Sequence, residues 1–394
     1  MGSWSDLKII NRSSSEIWCV IAGLVCMGTA LPICSAESHW LRHVIHEGEQ
    51  SMTAVAADFT GDALPDVISD SGGMTRLFVA PDWQEIILSE HPEFKWYIHS
   101  EFFDVDDDGD LDYIAARYNP GQVIWLEQPA NGQTQRWNKH LIDDTIHGIH
   151  GLMKGDIGND GRWELFATSA QPKEPYPESL VWFAIPENPR QAGRWKPHVF
   201  ADRDAPGLTH YLGVGDINGD GLLDAATGAK GGPQAASQGE WFAWWESSLD
   251  PTCPWVKHSV SDKEPGATNI HPADVNGDGV MDLVASRGHG TGVIWFEGPD
   301  WQVHDIDAAI QEPHCLVAID MDSDGDVDAA TCAFGSKEAA WYENNGEGQF
   351  SKHVVGREQE AYDIRAVDMD RDGDLDFLVA GRGSCNVVWY EHVQ

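Results

Sequence analysis

An acidic nonapeptide recurs seven times along this 394-residue chain, with its first aspartate at Asp58, Asp104, Asp156, Asp216, Asp274, Asp320 and Asp368. The spacings are 46, 52, 60, 58, 46 and 48 residues. A period near fifty means that each copy is one supersecondary unit, which cannot bury its apolar face alone and must stack on its neighbours. The segments around each copy keep a constant order. A short apolar run precedes the loop, and a second follows it, as in Asp282 to Ala285 and Asp376 to Ala380. A glycine-containing turn then leads to an aromatic segment centred on Trp125, Trp182, Trp245, Trp295, Trp341 or Trp389. The repeat ends on the pattern Trp-x-x-His-x-Ile/Val, seen in Trp137 to Ile142, Trp255 to Val260 and Trp301 to Ile306. That makes four short strands per repeat, with no helical period after residue 36. The expected fold is all-β, a seven-bladed β-propeller of four-stranded blades. The chain stops on a third-strand motif, Val387 to Glu391, while an unattached fourth-strand copy, Trp40 to Ile45, lies near its start. The last blade is therefore expected to be closed by the N-terminal strand, which removes the open edge of the ring.

The first 36 residues read differently. Lys8 and Arg12 precede an apolar stretch from Ile17 to Ile33, followed by Cys34-Ser35-Ala36 before Glu37. This pattern is that of a secretory signal peptide over residues 1–36, leaving 37–394 as one propeller domain that is secreted, periplasmic or held at the cell envelope. An uncleaved anchor is the alternative, because the stretch is close to the shortest that spans a bilayer. Three of the seven cysteines fall in this segment, so only Cys253, Cys315, Cys332 and Cys385 remain, too few for a disulfide scaffold. Cys315 and Cys332 become cross-strand neighbours if the inner strands of the sixth blade pair symmetrically about its acidic loop, as a disulfide or as adjacent core thiols.

The chain carries 25 Lys and Arg against 64 Asp and Glu, a net charge of -39. Such a surface repels phosphate backbones and anionic headgroups, which argues against nucleic-acid and peripheral-membrane partners. The seven loops hold 28 of the acids. In the second repeat Asp104, Asp106, Asp108 and Asp112 occupy positions one, three, five and nine, with Gly109 where the backbone must turn sharply. Hard oxygen ligands at this density fit calcium. The loop is not an EF-hand, since Ala115 stands where that motif needs a bidentate glutamate. The sixth and seventh repeats offer the same four carboxylates, Asp320, Asp322, Asp324 and Asp328, and Asp368, Asp370, Asp372 and Asp376. The fourth has Asp216, Asn218, Asp220 and Asp224, and the fifth Asp274, Asn276, Asp278 and Asp282. The first set is thinner, with Asp58, Asp62 and Asp66 around Thr60 and with Ala63 in place of glycine. The third has Asp156 and Asp160 with Gly158 at position three and Glu164 at position nine. Calcium is expected in the order of these ligand sets, first in repeats two, six and seven, then four and five.

These seven copies resemble FG-GAP or VCBS repeats, the calcium-bearing propeller blades also found in the integrin alpha-subunit head, and the resemblance covers the whole chain after residue 36. It implies a propeller with structural calcium and says almost nothing about activity. The repeats are also similar to the propeller of aldos-2-ulose dehydratases.

With the acidic loops at one end of the inner strands, the starts of those strands meet at the other end. The residues three to six positions before each first aspartate include Met52, His99, His150, His210, His271, His314, Tyr362, Asp363 and Arg365, with His147 nearby. Several histidines from successive blades are thus expected to face one axial funnel. By contrast His43, His140, His198, His258, His304 and His353 recur in the outer strands, as packing residues do. Arg117, Lys230, Arg287 and Arg382 all fall in the turn after the second strand, on the funnel side, and with Arg365 they suggest a cationic rim. Tyr118, His289 and Phe334 in these turns offer rings for stacking on sugars.

Two functions follow. The first is a monomeric, calcium-stabilised recognition propeller whose funnel binds a carbohydrate or other anionic small molecule, or a protein. His99, His147, His271, Arg117, Lys230, Arg382, Tyr362 and Asp363 would then be ligand contacts. The second is a lyase or dehydratase acting on a uronate or keto-sugar. There His150, His210 or His314 removes a proton, and Arg365 and Arg287 clamp the anion. The same three histidines could instead hold zinc or another divalent metal. No nucleophile motif or phosphate loop is present; Asn159-Asp160-Gly161 and Asn218-Gly219-Asp220-Gly221 are turn chemistry.

Overall fold

The computed structural model describes residues 39–130, 136–235 and 238–393; the expected signal segment lies outside them. Among these residues are twenty-eight strands in seven four-stranded antiparallel sheets. Each sheet is one blade, and in six of them the strands follow chain order from the axis outward. In the seventh the N-terminal strand His39–Glu47 pairs with the C-terminal strand Asn386–Val393, so the sheet holds three strands from one end of the chain and one from the other. No helix among the described residues is long and apolar enough to cross a membrane.

The inner strands are Ala54–Ala57, His99–Phe103, Leu152–Gly155, Thr209–Gly215, Asn269–Ala273, Pro313–Ile319 and Asp363–Val367. Each acidic loop joins the end of its inner strand to the start of the second. Alternation of side chains sends apolar residues to both faces of each blade, where they pack against the blades on either side. Trp125, Ile142 and Ile114 of blade two, for instance, share one cluster with Leu152, Val181 and Phe183 of blade three. Trp125 and Trp245 are fully buried, and replacing either with alanine would cost about 3–5 kcal/mol.

The outer histidines explain their own recurrence. In six blades one lies flat on the tryptophan of the third strand, with ring centroids 4.1–4.6 Å apart. In five of these the Nε2 atom also meets a glutamate two residues beyond that tryptophan, at 2.6–2.8 Å. Blade three has Ala184 there, and His198 is left with the stack alone. Blade four corrects the sequence reading by one residue, because His258 stacks on Trp244 and not on Trp245. Cys315 and Cys332 are cross-strand partners, both as free thiols.

Candidate functional site

The seven loops share one backbone design. Position four has positive φ in every copy (Gly61, Asp107, Asn159, Gly219, Gly277, Ser323, Arg371), and so has position six, where six copies use glycine and the first uses Ala63 at φ 74°. Space is not the reason for glycine, since a Cβ on Gly109 or Gly373 would meet nothing within 4 Å. The reason is the left-handed conformation, which costs an L-residue roughly 1–2 kcal/mol.

Position nine has a role that the ligand pattern alone does not reveal. Both oxygens of its buried carboxylate accept backbone N–H groups, one from position two of the loop and one from the end of the third strand or the residue just after it. Asp112 thus joins Val105 to Gln128, Asp328 joins Met321 to Asn344, and Asp376 joins Met369 to His392, all at 2.7–3.1 Å. Asp66, Asp224 and Asp282 do the same, while Glu164 of blade three reaches only Ile157. Three carboxylates converge closely enough to share a cation in blades two (Asp104, Asp106, Asp108), six (Asp320, Asp322, Asp324) and seven (Asp368, Asp370, Asp376). In blade two Arg190, from the last loop of blade three, places its guanidinium 2.7 Å from Asp106 and 2.6 Å from Asp108.

At the opposite end three histidines meet. His150, His210 and His314 each stand six residues before the first aspartate of their loop, and each offers a nitrogen within 4.8 Å of the other two. Backbone detail brings them there. The ladder register shifts between Thr209 and Leu212 and between Pro313 and Cys315, which frees His210 and His314 from strand pairing; such bulges re-aim side chains. The Thr168 hydroxyl holds the backbone N–H groups of His150 and Gly151 at 3.1 and 3.0 Å. A Cβ on Gly151 would come within 2.5 Å of the His210 carbonyl oxygen, so glycine lets blades three and four approach until the two imidazoles stack at 4.0 Å. Gly288 does the same for the turn that carries His289, where a Cβ would meet the Cα of His314 at 2.9 Å. His289 is itself exposed, with its Nε2 3.0 Å from that of His210.

Burial keeps these imidazoles neutral. It pushes His150 down to about 3, with further lowering from the charges of His289, Lys230 and Arg382, and it holds His210 and His314 well below the usual histidine range. Tyr362 stacks on His314 at 3.5 Å, and the Tyr211 hydroxyl donates to the Tyr362 carbonyl at 3.1 Å.

The other expected residues divide by depth and by partner. Lys230 and Arg382 are half-buried beside the histidines, and neither is in an ion pair among the described residues. Arg382 lies over the rings of Tyr362 (4.2 Å) and Phe334 (5.5 Å). Arg287 is bound to Glu264 at 2.6 Å, which occupies the guanidinium that the sequence reading assigned to an anion. Arg117 is buried between Phe94 and Tyr97. Arg365 is held between Glu101 (3.6 Å) and Asp363 (3.3 Å) and 3.0 Å from His99, so its charge already has carboxylate partners. His271 meets the Leu316 carbonyl at 3.0 Å, and His147 the Pro120 carbonyl at 3.1 Å, both outside the three-histidine cluster. A recess of 340 Å³ lined by Trp96, Tyr118, Lys95 and Arg117 opens beside the cluster, with Tyr118 6.2 Å from the His150 ring.

The sequence pattern of the FG-GAP-like repeat family matches residues 104–167, 216–285 and 288–379, more than half of the chain. No curated protein matches the sequence.

Proposed function

This chain belongs to the FG-GAP-like repeat family, and from that premise we propose that it is an exported, calcium-stabilised recognition propeller that binds a carboxylate-bearing carbohydrate over the histidine end of its axis. One observation carries the reading. In a protein with 64 acids and 25 bases, Lys230 and Arg382 stand beside a neutral histidine cluster without a carboxylate partner among the described residues. Half-buried cations left unpaired are costly unless a ligand completes them. The half-buried rings of Tyr118 and Phe334 border the same end and provide flat apolar faces on which a sugar can stack. The acidic loops support the ring from the far end, with calcium joining the carboxylates that converge in blades two, six and seven.

Titration calorimetry with uronate oligosaccharides and their neutral counterparts tests this reading. The uronate is expected to bind more tightly, with at least about a tenfold loss in Lys230→Ala and in Arg382→Ala, the order of one charge-assisted hydrogen bond. Equal affinity for the neutral sugar, or unchanged binding in both variants, would reject it.

A further inference from the structure

We infer that His150, His210 and His314 form a transition-metal centre on the propeller axis, of the kind that takes zinc, with His289 at an exchangeable fourth position. This goes beyond the carbohydrate reading and stands without it. The three nitrogens come from three blades and lie within 4.8 Å of one another. Carbonyl groups behind two of the rings favour the binding tautomer. The Nδ1 of His210 donates to the Leu208 carbonyl at 3.0 Å, and the Nδ1 of His314 donates to the Tyr362 carbonyl at 3.2 Å. Each leaves an Nε2 lone pair for a metal, and a carbonyl behind an imidazole is the usual way a ligand ring is oriented.

The second line is independent of spacing. His314 is 1% exposed and His150 7%, yet His314 Nε2 and His150 Nδ1 have no hydrogen-bond partner among the described residues. Each buried, unpaired nitrogen costs about 1–3 kcal/mol, and one cation between the rings removes both penalties. Two nitrogens on a tetrahedral ion with bonds of about 2.0–2.1 Å stand about 3.3 Å apart. His210 and His289 are close to that at 3.0 Å, and the nitrogens of His150, His210 and His314 lie within 4.8 Å of one another. The ligand set is all nitrogen, which disfavours calcium and magnesium and suits zinc, nickel or copper. His289 is exposed, and so supplies the entry path and the position that a water or ligand oxygen can take.

Cobalt(II) added to the chelator-stripped full chain, in excess calcium to fill the acidic loops, tests the centre without any sugar. One equivalent should give the visible bands of four-coordinate cobalt and be displaced by one equivalent of zinc. His210→Ala and His314→Ala should each weaken binding by more than the roughly 10–100-fold that loss of an outer partner costs, whereas His289→Ala should keep the stoichiometry. X-ray absorption of the wild-type zinc form, which needs no variant to fold, should show nitrogen neighbours at about 2.0–2.1 Å. Absence of the bands, bands that survive His314→Ala in protein that still melts cooperatively, or an all-oxygen shell would overturn the assignment.

Discussion

The two ends of the inner strands obey different rules. At the acidic end every blade repeats the same loop, with the same two left-handed residues and, in six copies, the same carboxylate strap. At the histidine end the equivalent position is Met52, Ile98, His150, His210, Thr268, His314 or Tyr362, according to blade. A feature that each blade needs in order to fold recurs in each blade. A feature needed once per molecule appears on a few neighbouring strands, where the ring brings it together. The comparison therefore assigns architecture to the first end and leaves the second, which varies from blade to blade, as the place for the proposed recognition site.

The largest expected effect separates them by ion. Removing calcium should lower the melting temperature sharply, because at a hundredfold excess over Kd each filled loop contributes about 2.7 kcal/mol, or about 8 kcal/mol for three. A chelator that leaves the melt unchanged would break the comparison at once. Next comes the strap. Asp328→Ala strands the buried N–H groups of Met321 and Asn344 and the Trp341 indole N–H. It should cost about 3 kcal/mol or more with or without calcium. Asp324→Asn, in the exposed part of the same loop, should change only the calcium response.

The third effect concerns pH. In calcium-free protein burial pushes Asp112 up to about 8, and Asp328 and Asp376 to about 7. A raised carboxyl pKa means that the folded state binds more protons than the unfolded one between about pH 4 and the folded value, so stability falls as pH rises through that window. The lowered histidines act with the opposite sign, but only below about pH 6.5, where the unfolded histidines begin to charge. Between pH 6.5 and 8 the loops act alone, and the chelated protein should lose stability there while the calcium-loaded protein does not. A melt that rises over this interval would contradict the carboxylate assignment. The smallest effect is local. Ala63→Gly relieves the one left-handed alanine at position six and should add about 1 kcal/mol, measured by denaturant unfolding.

The acidic end was readable in the sequence because its copies are in register, and the recurrence of His140, His258 and their equivalents marked them as packing residues for the same reason. The strap was hidden, since an aspartate that accepts two N–H groups looks the same in sequence as one that holds an ion. At the other end the common offset of His150, His210 and His314 was visible, but the strand bulges at His210 and His314 and the Thr168 contacts behind His150 are not encoded at any fixed spacing. Partners from distant segments were equally invisible. Arg365 meets Glu101 across 264 residues, and Glu264 reaches Arg287 from the connection between blades four and five. The slip from Trp244 to Trp245 arose because adjacent tryptophans on one strand differ only in which face they point to.

The division of labour between the two ends is tested most directly by thermal melting across a calcium titration of three proteins: wild type, Asp106→Asn/Asp322→Asn/Asp370→Asn, and Lys230→Ala/Arg382→Ala. The wild type and the lysine–arginine variant should rise together to one plateau, within about 0.5 kcal/mol of each other, while the aspartate variant rises far less. A wild type indifferent to calcium, or a lysine–arginine variant that melts as early as the aspartate variant, would contradict the account.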